Sequence, residues 1–320
     1  MKFLVGATAL ALGLLTTSSA HAQAYPTGPV TVVVPFAAGS GTDAVARVVM
    51  QKLSDQLKKP VLIDNRPGAS AQIAAQYVAK AKPDGYTLFM TTNTSHSANP
   101  GLYKNLKYDP IKDFTPIARI GELPFIVAVN NDVPVKTLQE FIDYAKANKG
   151  KVSYATPNST SLVASETIKR MAGIDILGIP YKSSPQAMTD LIGGQVQVYV
   201  TDLGSGMSML QGGKVRPLAT TTASPLKLFP NVPPVAQTIK GFDLTSWNGV
   251  FGPAGMPKEI VDKLSTELQV AVADKEVQGK LAQLGFEVSP SKTPSEFTKY
   301  VADQLTHWTS LIRQANIKQD

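Results

Sequence analysis

The sequence predicts an α/β fold of two lobes, each a mainly parallel sheet flanked by helices, with a ligand cleft between them. Strand-like and helix-like segments alternate along nearly the whole chain, which favours open sheets with crossover connections. The length of 320 residues exceeds what one compact core usually holds and suits two lobes. Polar loops recur at the carboxyl ends of the predicted strands, where open α/β sheets bind ligands.

The first 22 residues have the order of a secretory signal peptide. Met1-Lys2 is a positive start, Phe3 to Leu15 is apolar, and Ala20-His21-Ala22 is a cleavage site of the A-x-A kind. This apolar stretch is too short for a membrane anchor, which needs about 20 residues. We therefore expect cleavage after Ala22 and export. The chain has no cysteine, which excludes a lipid anchor, disulfides and thiolate chemistry.

The charge of the chain is mildly positive. The formal net charge is +7, from 31 basic and 24 acidic residues, and removing Lys2 with the signal peptide leaves 30 − 24 = +6. No run of lysines and arginines would follow a phosphate backbone, so a nucleic-acid partner is not expected. The balance weakly favours encounter with a small anion.

The first predicted strands are Val30–Val34, Val61–Ile63 and Thr87–Met90. The intervening helices, the first of which starts near Asp43, are marked by Val45, Val49, Leu53, Leu57, Ile73 and Tyr77. Strands that alternate with helices in this way predict parallel pairing.

The same alternation returns in the middle of the chain. The predicted strands there are Phe125–Val129, Val152–Ala155, Ile176–Ile179 and Val196–Thr201. Three helices are predicted between them: one opened by a capping box at Thr137–Glu140, one over Leu162–Ala172, and one that contains Met188 to Ile192. Residues 123–246 are therefore predicted to form lobe 2.

The end of the chain is predicted to be helical. Pro257 opens one helix, and a second capping box, Thr293 to Glu296, opens another. The last helix carries an apolar stripe of Phe297, Tyr300, Val301, Leu305, Trp308 and Ile312. We expect this stripe to cover lobe 1, formed by residues 23–122 and 247–320, with the chain crossing between lobes near 116–124 and 245–252.

The loop after the first strand is a candidate anion site. It consists of Phe36, Ala37, Ala38, Gly39, Ser40, Gly41, Thr42 and Asp43. Glycines let the backbone approach a ligand, and the unpaired N–H groups of the following helix point outward. The other interpretation is an ordinary turn in which Thr42 or Asp43 only caps the helix.

The same loop imitates a dinucleotide site. Gly39-x-Gly41-x-x-Ala44 follows a strand, opens a helix and is trailed by Asp64 at the end of the second strand. However, four residues separate the strand from the first glycine, and an exported chain would meet little free cofactor. We therefore expect no cofactor.

Further polar loops follow other strands, and four such loops at strand ends are stronger evidence of a binding site than one. The candidate ligand-binding residues in them are Ser95, His96, Asn158, Ser159, Thr160, Ser161, Tyr181, Lys182, Ser183 and Asp202. Asp202 has two interpretations: it orients a ligand hydroxyl or water, or it caps the next turn.

Catalytic groups are scarce in the sequence. After the signal peptide the only histidines are His96 and His307, which are too far apart for a convincing metal site. No G-x-S-x-G elbow is present. We predict no catalytic residue and no metal, and His307 is expected in solvent.

The chain resembles the Bug-type receptors of tripartite tricarboxylate transporters over nearly its whole mature length. The segments that carry the resemblance are Val33–Phe36 with the Gly-Ser-Gly-Thr-Asp loop, Asn65–Ala69, Lys82–Leu88, Ser95–Pro100, Ile179–Lys182, Gly193–Val196 and Trp247–Pro253. The resemblance implies a type II periplasmic binding protein-like fold.

The resemblance also implies a function. Family members bind carboxylates in the periplasm, with backbone and hydroxyl groups of the first loop on one carboxylate, for integral-membrane transporter subunits. By resemblance this role falls on Phe36–Thr42, with Asp43 supporting the loop, and on the second-lobe loops. Ser183-Ser184 and Thr156–Asn158 stand where the family usually has glycine, so the ligand itself stays open. We expect a monomer; a periplasmic sensor and a secreted enzyme on the same fold are the alternatives.

Overall fold

The computed structural model describes residues 25–319, so the predicted signal peptide lies outside the described residues. The strands are β1 (Val30–Val34), β2 (Val61–Asn65), β3 (Thr87–Thr92), β4 (Phe114–Leu123), β5 (Phe125–Asn130), β6 (Ser153–Thr156), β7 (Leu177–Pro180), β8 (Val198–Asp202), β9 (Val215–Thr220), β10 (Ser246–Pro253) and β11 (Glu287–Val288). They form a six-stranded sheet, β11-β4-β10-β3-β1-β2, and a five-stranded sheet, β7-β6-β8-β5-β9.

Helices flank both sheets. They are α1 (Gly41–Leu57), α2 (Gln72–Ala79), α3 (Asn99–Leu102), α4 (Leu138–Ala147), α5 (Ser159–Ala172), α6 (Ser184–Ile192), α7 (Leu203–Gln211), α8 (Val235–Thr238), α9 (Lys258–Ala273), α10 (Lys275–Gln283) and α11 (Pro294–Gln314), with a π-helical turn at Thr94–Ala98. Within residues 25–319, no helix combines the length and the apolar composition needed to cross a bilayer.

Both sheets are mixed, and they share an order of five strands, to which β11 adds a sixth, antiparallel strand at the edge of the first sheet. In each, three parallel strands are followed by one antiparallel strand and then by a strand in the original direction. The antiparallel strands, β10 and β5, come directly after a crossing between the sheets. One crossing is Pro124 alone, between β4 and β5, and the other is the segment from β9 to β10. This arrangement confirms the two-sheet α/β prediction and refines "mainly parallel" to mixed.

The helices bury the faces that their apolar spacing predicts. Val45, Val49 and Leu53 of α1 are fully buried against the first sheet. In α2 the small residues are buried, whereas Ile73 and Tyr77 are 52% and 42% exposed. The prediction of a helix is therefore right, but these two side chains lie on its solvent face, and Ala74, Ala75 and Val78 form the buried face instead.

The last helix packs against both sheets. Phe297 and Val301, near its beginning, join a cluster with Trp247 and other residues of the first sheet. Trp308 and Ile312, further along, join a cluster made mostly of residues around the second sheet. The expectation that α11 covers lobe 1 therefore holds for Phe297 and Val301 but not for Trp308 and Ile312, since a 21-residue helix is long enough to reach both sheets.

The cap of α11 gives a testable stability prediction. The Thr293 hydroxyl accepts a hydrogen bond from the Glu296 amide at 3.1 Å, and Glu296 accepts one from the Lys292 amide at 2.9 Å. We expect Thr293→Ala to lower the free energy of unfolding by about 1 kcal/mol, measured by urea denaturation. Thr298→Ala, on the exposed face of the same helix, is the control. Equal losses in both variants would contradict the capping role.

Candidate ligand-binding site between the two sheets

Four helices of the structure begin at the interface between the sheets. Each is capped by a side chain that accepts from the backbone near its amino terminus: Ser40 for α1, Asn158 for α5, Ser183 for α6 and Asp202 for α7. Each cap follows a strand, so all four helix dipoles have their positive ends at the carboxyl edges of the parallel strands. The capping interpretation is therefore right for Asp202, whereas for α1 the cap is Ser40 and not Thr42 or Asp43.

Asp43 holds the loop before α1 in place. Its carboxylate accepts hydrogen bonds from the Gly39 amide at 2.9 Å, the Asn65 amide group at 2.9 Å and Arg47 Nε at 3.0 Å. Asn65 also donates to the Phe36 carbonyl. Burial alone would raise the pKa of Asp43, but the hydrogen bonds from Arg47, Gly39 and Asn65 outweigh it and hold the pKa below its ordinary value. The carboxylate therefore points into its own loop and away from the cleft.

The amino termini of α1 and α7 meet across the interface. The Gly41 amide donates to Ser205 Oγ at 3.1 Å, and Ser205 Oγ lies 2.7 Å from both carboxylate oxygens of Asp202. Both helices have a glycine at the contact: a methyl group built on Gly204 would lie 2.5 Å from the Gly41 Cα atom. The absence of side chains at these two positions is what allows the two helix ends to approach so closely.

Of the described residues that line the cavity enclosed by these helix ends, Asp202 is the one with an ionisable side chain. It is 4% exposed, and burial raises its pKa, against the opposing effect of the hydrogen bonds from Ser205. The cavity is about 20 Å³ in this conformation, which is room for about one water molecule. A molecule larger than water therefore requires the two sheets to move apart before it can enter.

The cavity contains part of the predicted set. Its predicted members are Phe36, Ser40, Gly41, Thr42, Asn158, Thr160 and Asp202. Six other lining residues were not named as ligand contacts, although the first three belong to polar loops that the sequence singles out: Thr92, Thr94, Ser184, Leu123, Phe125 and Ser246. Four of these are hydroxyl residues directly at strand or helix ends, and that position is the signal that would have selected them. The cavity is thus lined mainly by hydroxyl residues, together with Asn158, Asp202 and three apolar residues, Phe36 and the two that flank Pro124.

Other predicted residues lie beside the cavity and not on it. Ala38 and Gly39 are exposed, and Ala37 is half-buried. Ser159 and Ser161 are buried, and their hydroxyls donate to Asn99 Oδ1 and the Val200 carbonyl. Lys182 is exposed, Tyr181 donates its hydroxyl to Asp190, and Ser183 caps α6. Ser184 takes the cavity position because Ser183 is used by the helix.

Ser95 and His96 do not reach the cavity, so the expectation that they donate to a ligand is not supported. The His96 ring is fully buried and stacks on Phe251 with ring centroids 4.0 Å apart. Ser95 Oγ lies 2.6 Å from Thr91 Oγ1 and 2.9 Å from His96 Nδ1. Burial lowers the pKa of His96 to about 3, which keeps the ring neutral inside this aromatic cluster.

A second contact between the lobes runs through Asn93. Its amide group donates to Thr160 Oγ1 on α5 at 2.9 Å, and its Oδ1 accepts from Ser246 on β10 at 2.5 Å. Both partners line the cavity. Asn93 therefore fixes cavity hydroxyls from both sheets without lining the cavity itself.

A larger groove exists elsewhere but lacks the chemistry of the cavity. It measures about 560 Å³ and lies between Leu226–Leu228 and the turn from α10 to β11, with mainly apolar walls. None of its described lining residues carries a hydroxyl group. Of the four capped helix starts, the one represented in this lining is that of α7, by the apolar residue Leu203. The small polar cavity, and not this groove, is therefore the candidate site.

Two α/β lobes whose strand-end loops enclose a polar cavity define a solute-binding protein of type II periplasmic binding architecture. Residues 45–317 match the family described as tripartite tricarboxylate transporter family receptor, and the chain belongs to this family.

Known relatives cover nearly the whole chain. A UPF0065 protein of Bordetella bronchiseptica is 37% identical over 95% of this chain and 90% of its own length. R. palustris Rpa4515, solved with adipate, has a TM-score of 0.90 at 33% identity, covering 92% of this chain and all of its own. The periplasmic binding protein BugD has a TM-score of 0.88 at 33% identity over the same shares of the two chains.

Proposed function

We propose that this chain is a periplasmic receptor that captures a small organic carboxylate and delivers it to a tripartite transporter. The main support is the cavity into which four capped helix amino termini point. None of its described lining residues is lysine or arginine, so the positive ends of the helices are what would attract an anion. An anion held there is bound by backbone amides and hydroxyls. Such hydrogen bonds to a charged group contribute about 1.5–3 kcal/mol each.

The proposed ligand-contacting set centres on the loop before α1. Ser40, Gly41 and Thr42 from this loop face Asn158 and Thr160 of the other lobe across the cavity. A carboxylate at the start of α1 gains a further ~0.3–1 kcal/mol from the helix dipole, and up to ~2 kcal/mol when partly buried. Adipate in Rpa4515 supports a carboxylate ligand. Monocarboxylates, dicarboxylates and aromatic acids are the candidates.

The proposal includes compartment, partners and chemistry. The predicted signal peptide and the periplasmic relative BugD support the periplasm, and the receptor family supports integral-membrane transporter subunits as partners. We include in the proposal that the receptor acts as a monomer. We also propose that it has no catalytic role, which the membership of a receptor family supports. The lobe boundaries 23–122 with 247–320 and 123–246 belong to the same proposal.

The test is a thermal-shift screen of organic acids against their uncharged analogues. An acid at about 100 times its Kd stabilises the folded state by about 2.7 kcal/mol, which raises Tm by roughly 4 °C for a chain of this size. We expect such a rise with adipate or another small acid. The matching diamide or diester should give no rise, because it brings polar groups without the negative charge.

The contrary result is equally clear. Equal stabilisation by the acid and the diamide would show that the negative charge of the ligand does not contribute to binding, and would contradict the anion site. Mass spectrometry of ligand retained from expression then identifies what the cavity holds.

A further inference from the structure

The Asp202 carboxylate lies between two helix amino termini that face each other. It caps α7 by accepting from the Ser205 amide at 2.7 Å. It also lies against Gly41, the first residue of α1, such that a methyl group on Gly41 would collide with Asp202 Oδ1. Ser205 Oγ connects the two helices, because it lies at hydrogen-bond distance from both the Gly41 amide and the Asp202 carboxylate.

Two helix amino termini brought together in this way repel each other. Each carries a partial positive charge equivalent to about half an elementary charge. An anion between them removes the repulsion, and Asp202 is the anion present in this conformation. The carboxylate therefore supports contact between the lobes in addition to capping α7.

No basic side chain competes for Asp202 among the described residues around it. On α1 the nearest charged group, Asp43, is turned into its own loop and paired with Arg47. On β8, the buried Tyr199 phenol has its pKa raised by burial and by the charge of Asp202. On α6, Ser184 is a cavity hydroxyl without charge. The first turn of α1 is thus the positive group closest to this carboxylate across the interface.

We propose that Asp202 is an internal anion that competes with the carboxylate of the ligand for the amino terminus of α1, and thereby sets ligand affinity. This inference rests on the proposed function. In this conformation the Asp202 carboxylate lies against the start of α1, and the cavity between the lobes measures about 20 Å³. Ligand entry requires the carboxylate to leave α1, so part of the binding free energy is spent on displacing it.

Asp202→Asn separates this role from the cap. Asparagine caps helices about as well as aspartate, so the variant keeps α7 intact and removes only the charge. Small-angle X-ray scattering of protein refolded without ligand should give a larger radius of gyration for D202N than for the unchanged protein. Titration calorimetry with adipate should give a Kd about five- to thirtyfold lower, which corresponds to the largest helix-dipole contributions.

Two further variants control the experiment. Asp175→Asn removes the same charge from an exposed position of the same lobe, with a side chain 57% exposed, and should change neither quantity. Ser205→Ala removes the hydroxyl between Gly41 and Asp202 while leaving the Ser205 amide to cap α7. It should also increase the radius of gyration of the ligand-free protein.

Two results would overturn the proposal. Weaker adipate binding by D202N would mean that Asp202 holds the ligand and does not compete with it. An unchanged radius of gyration in both D202N and S205A would mean that the contact does not hold the empty lobes together. If the unchanged protein bound no organic acid at all, the proposed function would fail, and the scattering comparison would still decide whether Asp202 closes the empty protein.

Discussion

Gly204→Ala is expected to weaken ligand binding, because the amino termini of α1 and α7 can no longer close together. The added methyl group would lie 2.5 Å from the Gly41 Cα atom, whereas carbon atoms in contact prefer about 3.5–4.0 Å. The amino termini of α1 and α7 would then have to separate by about 1 Å. Overpacking of this kind costs about 1–3 kcal/mol, which raises Kd by about five- to 150-fold.

The same substitution favours α7 itself, because alanine is a better helix former than glycine by about 1 kcal/mol. We therefore expect the Tm of the empty protein, whose lobes can open to avoid the overlap, to be unchanged or higher, and the acid-induced rise in Tm to be smaller. Gly279→Ala in α10 is the matched control, since nothing lies within 4 Å of its added methyl group. A normal response to acid in Gly204→Ala would show that the ligand-bound lobes do not use this contact.

Asp43→Ala is expected to lower the free energy of unfolding by about 2–3 kcal/mol and to abolish binding. The side chain is 3% exposed, and its removal leaves the Gly39 amide and the Asn65 amide group without their acceptor. Each charged hydrogen bond of this kind contributes about 1.5–3 kcal/mol, while the pair with Arg47, which is 55% exposed, adds little. Binding is lost because the loop from Phe36 to Ser40 is no longer held.

The pH dependence of this effect has a definite sign. The pKa of Asp43 is lowered in the folded protein, so its stabilisation is fully present above the ordinary aspartate pKa of about 4. The stabilisation disappears as pH falls through the lowered value. Urea denaturation of Asp43→Ala and of the unchanged protein at several pH values should show that the difference between their free energies of unfolding becomes smaller in acid. The control is Asp64→Ala. The half-buried carboxylate of Asp64, on β2, pairs with Arg66 just after that strand, and its removal should lower the free energy of unfolding by about 1 kcal/mol or less. A free-energy loss for Asp43→Ala that does not change with pH would contradict the assignment.

Strong local patterns predicted most helices and strands. The capping boxes at Thr137 and Thr293 mark the starts of α4 and α11, because such a signal lies within four residues. In contrast, α7 was missed, since Gly204 and Gly206 lower its helix propensity. The β10 segment, with two glycines and a terminal proline, was read as a crossing and not as a central strand, and its pairing with β3 and β4 stabilises it instead.

The candidate site was predicted at the level of loops and only partly at the level of residues. Phe36, Ser40, Gly41 and Thr42 line the cavity as expected, because the loop from strand to helix fixes their position locally. His96 belongs to an aromatic cluster whose other members come from distant strands. Its neighbours in sequence therefore gave no indication that it turns away from the cleft.

The sequence by itself determined the alternation of strands and helices, the absence of thiol chemistry and the polar loops that cap helices at strand ends. These features depend on backbone hydrogen bonds and side chains only a few residues apart. Only the tertiary structure decided which hydroxyls face the cavity, that α11 packs against both sheets, and that Asp202 lies between α1 and α7. Such contacts join residues far apart in the sequence, as Gly41 and Ser205 are, and they depend on how the two sheets and their helices pack against each other.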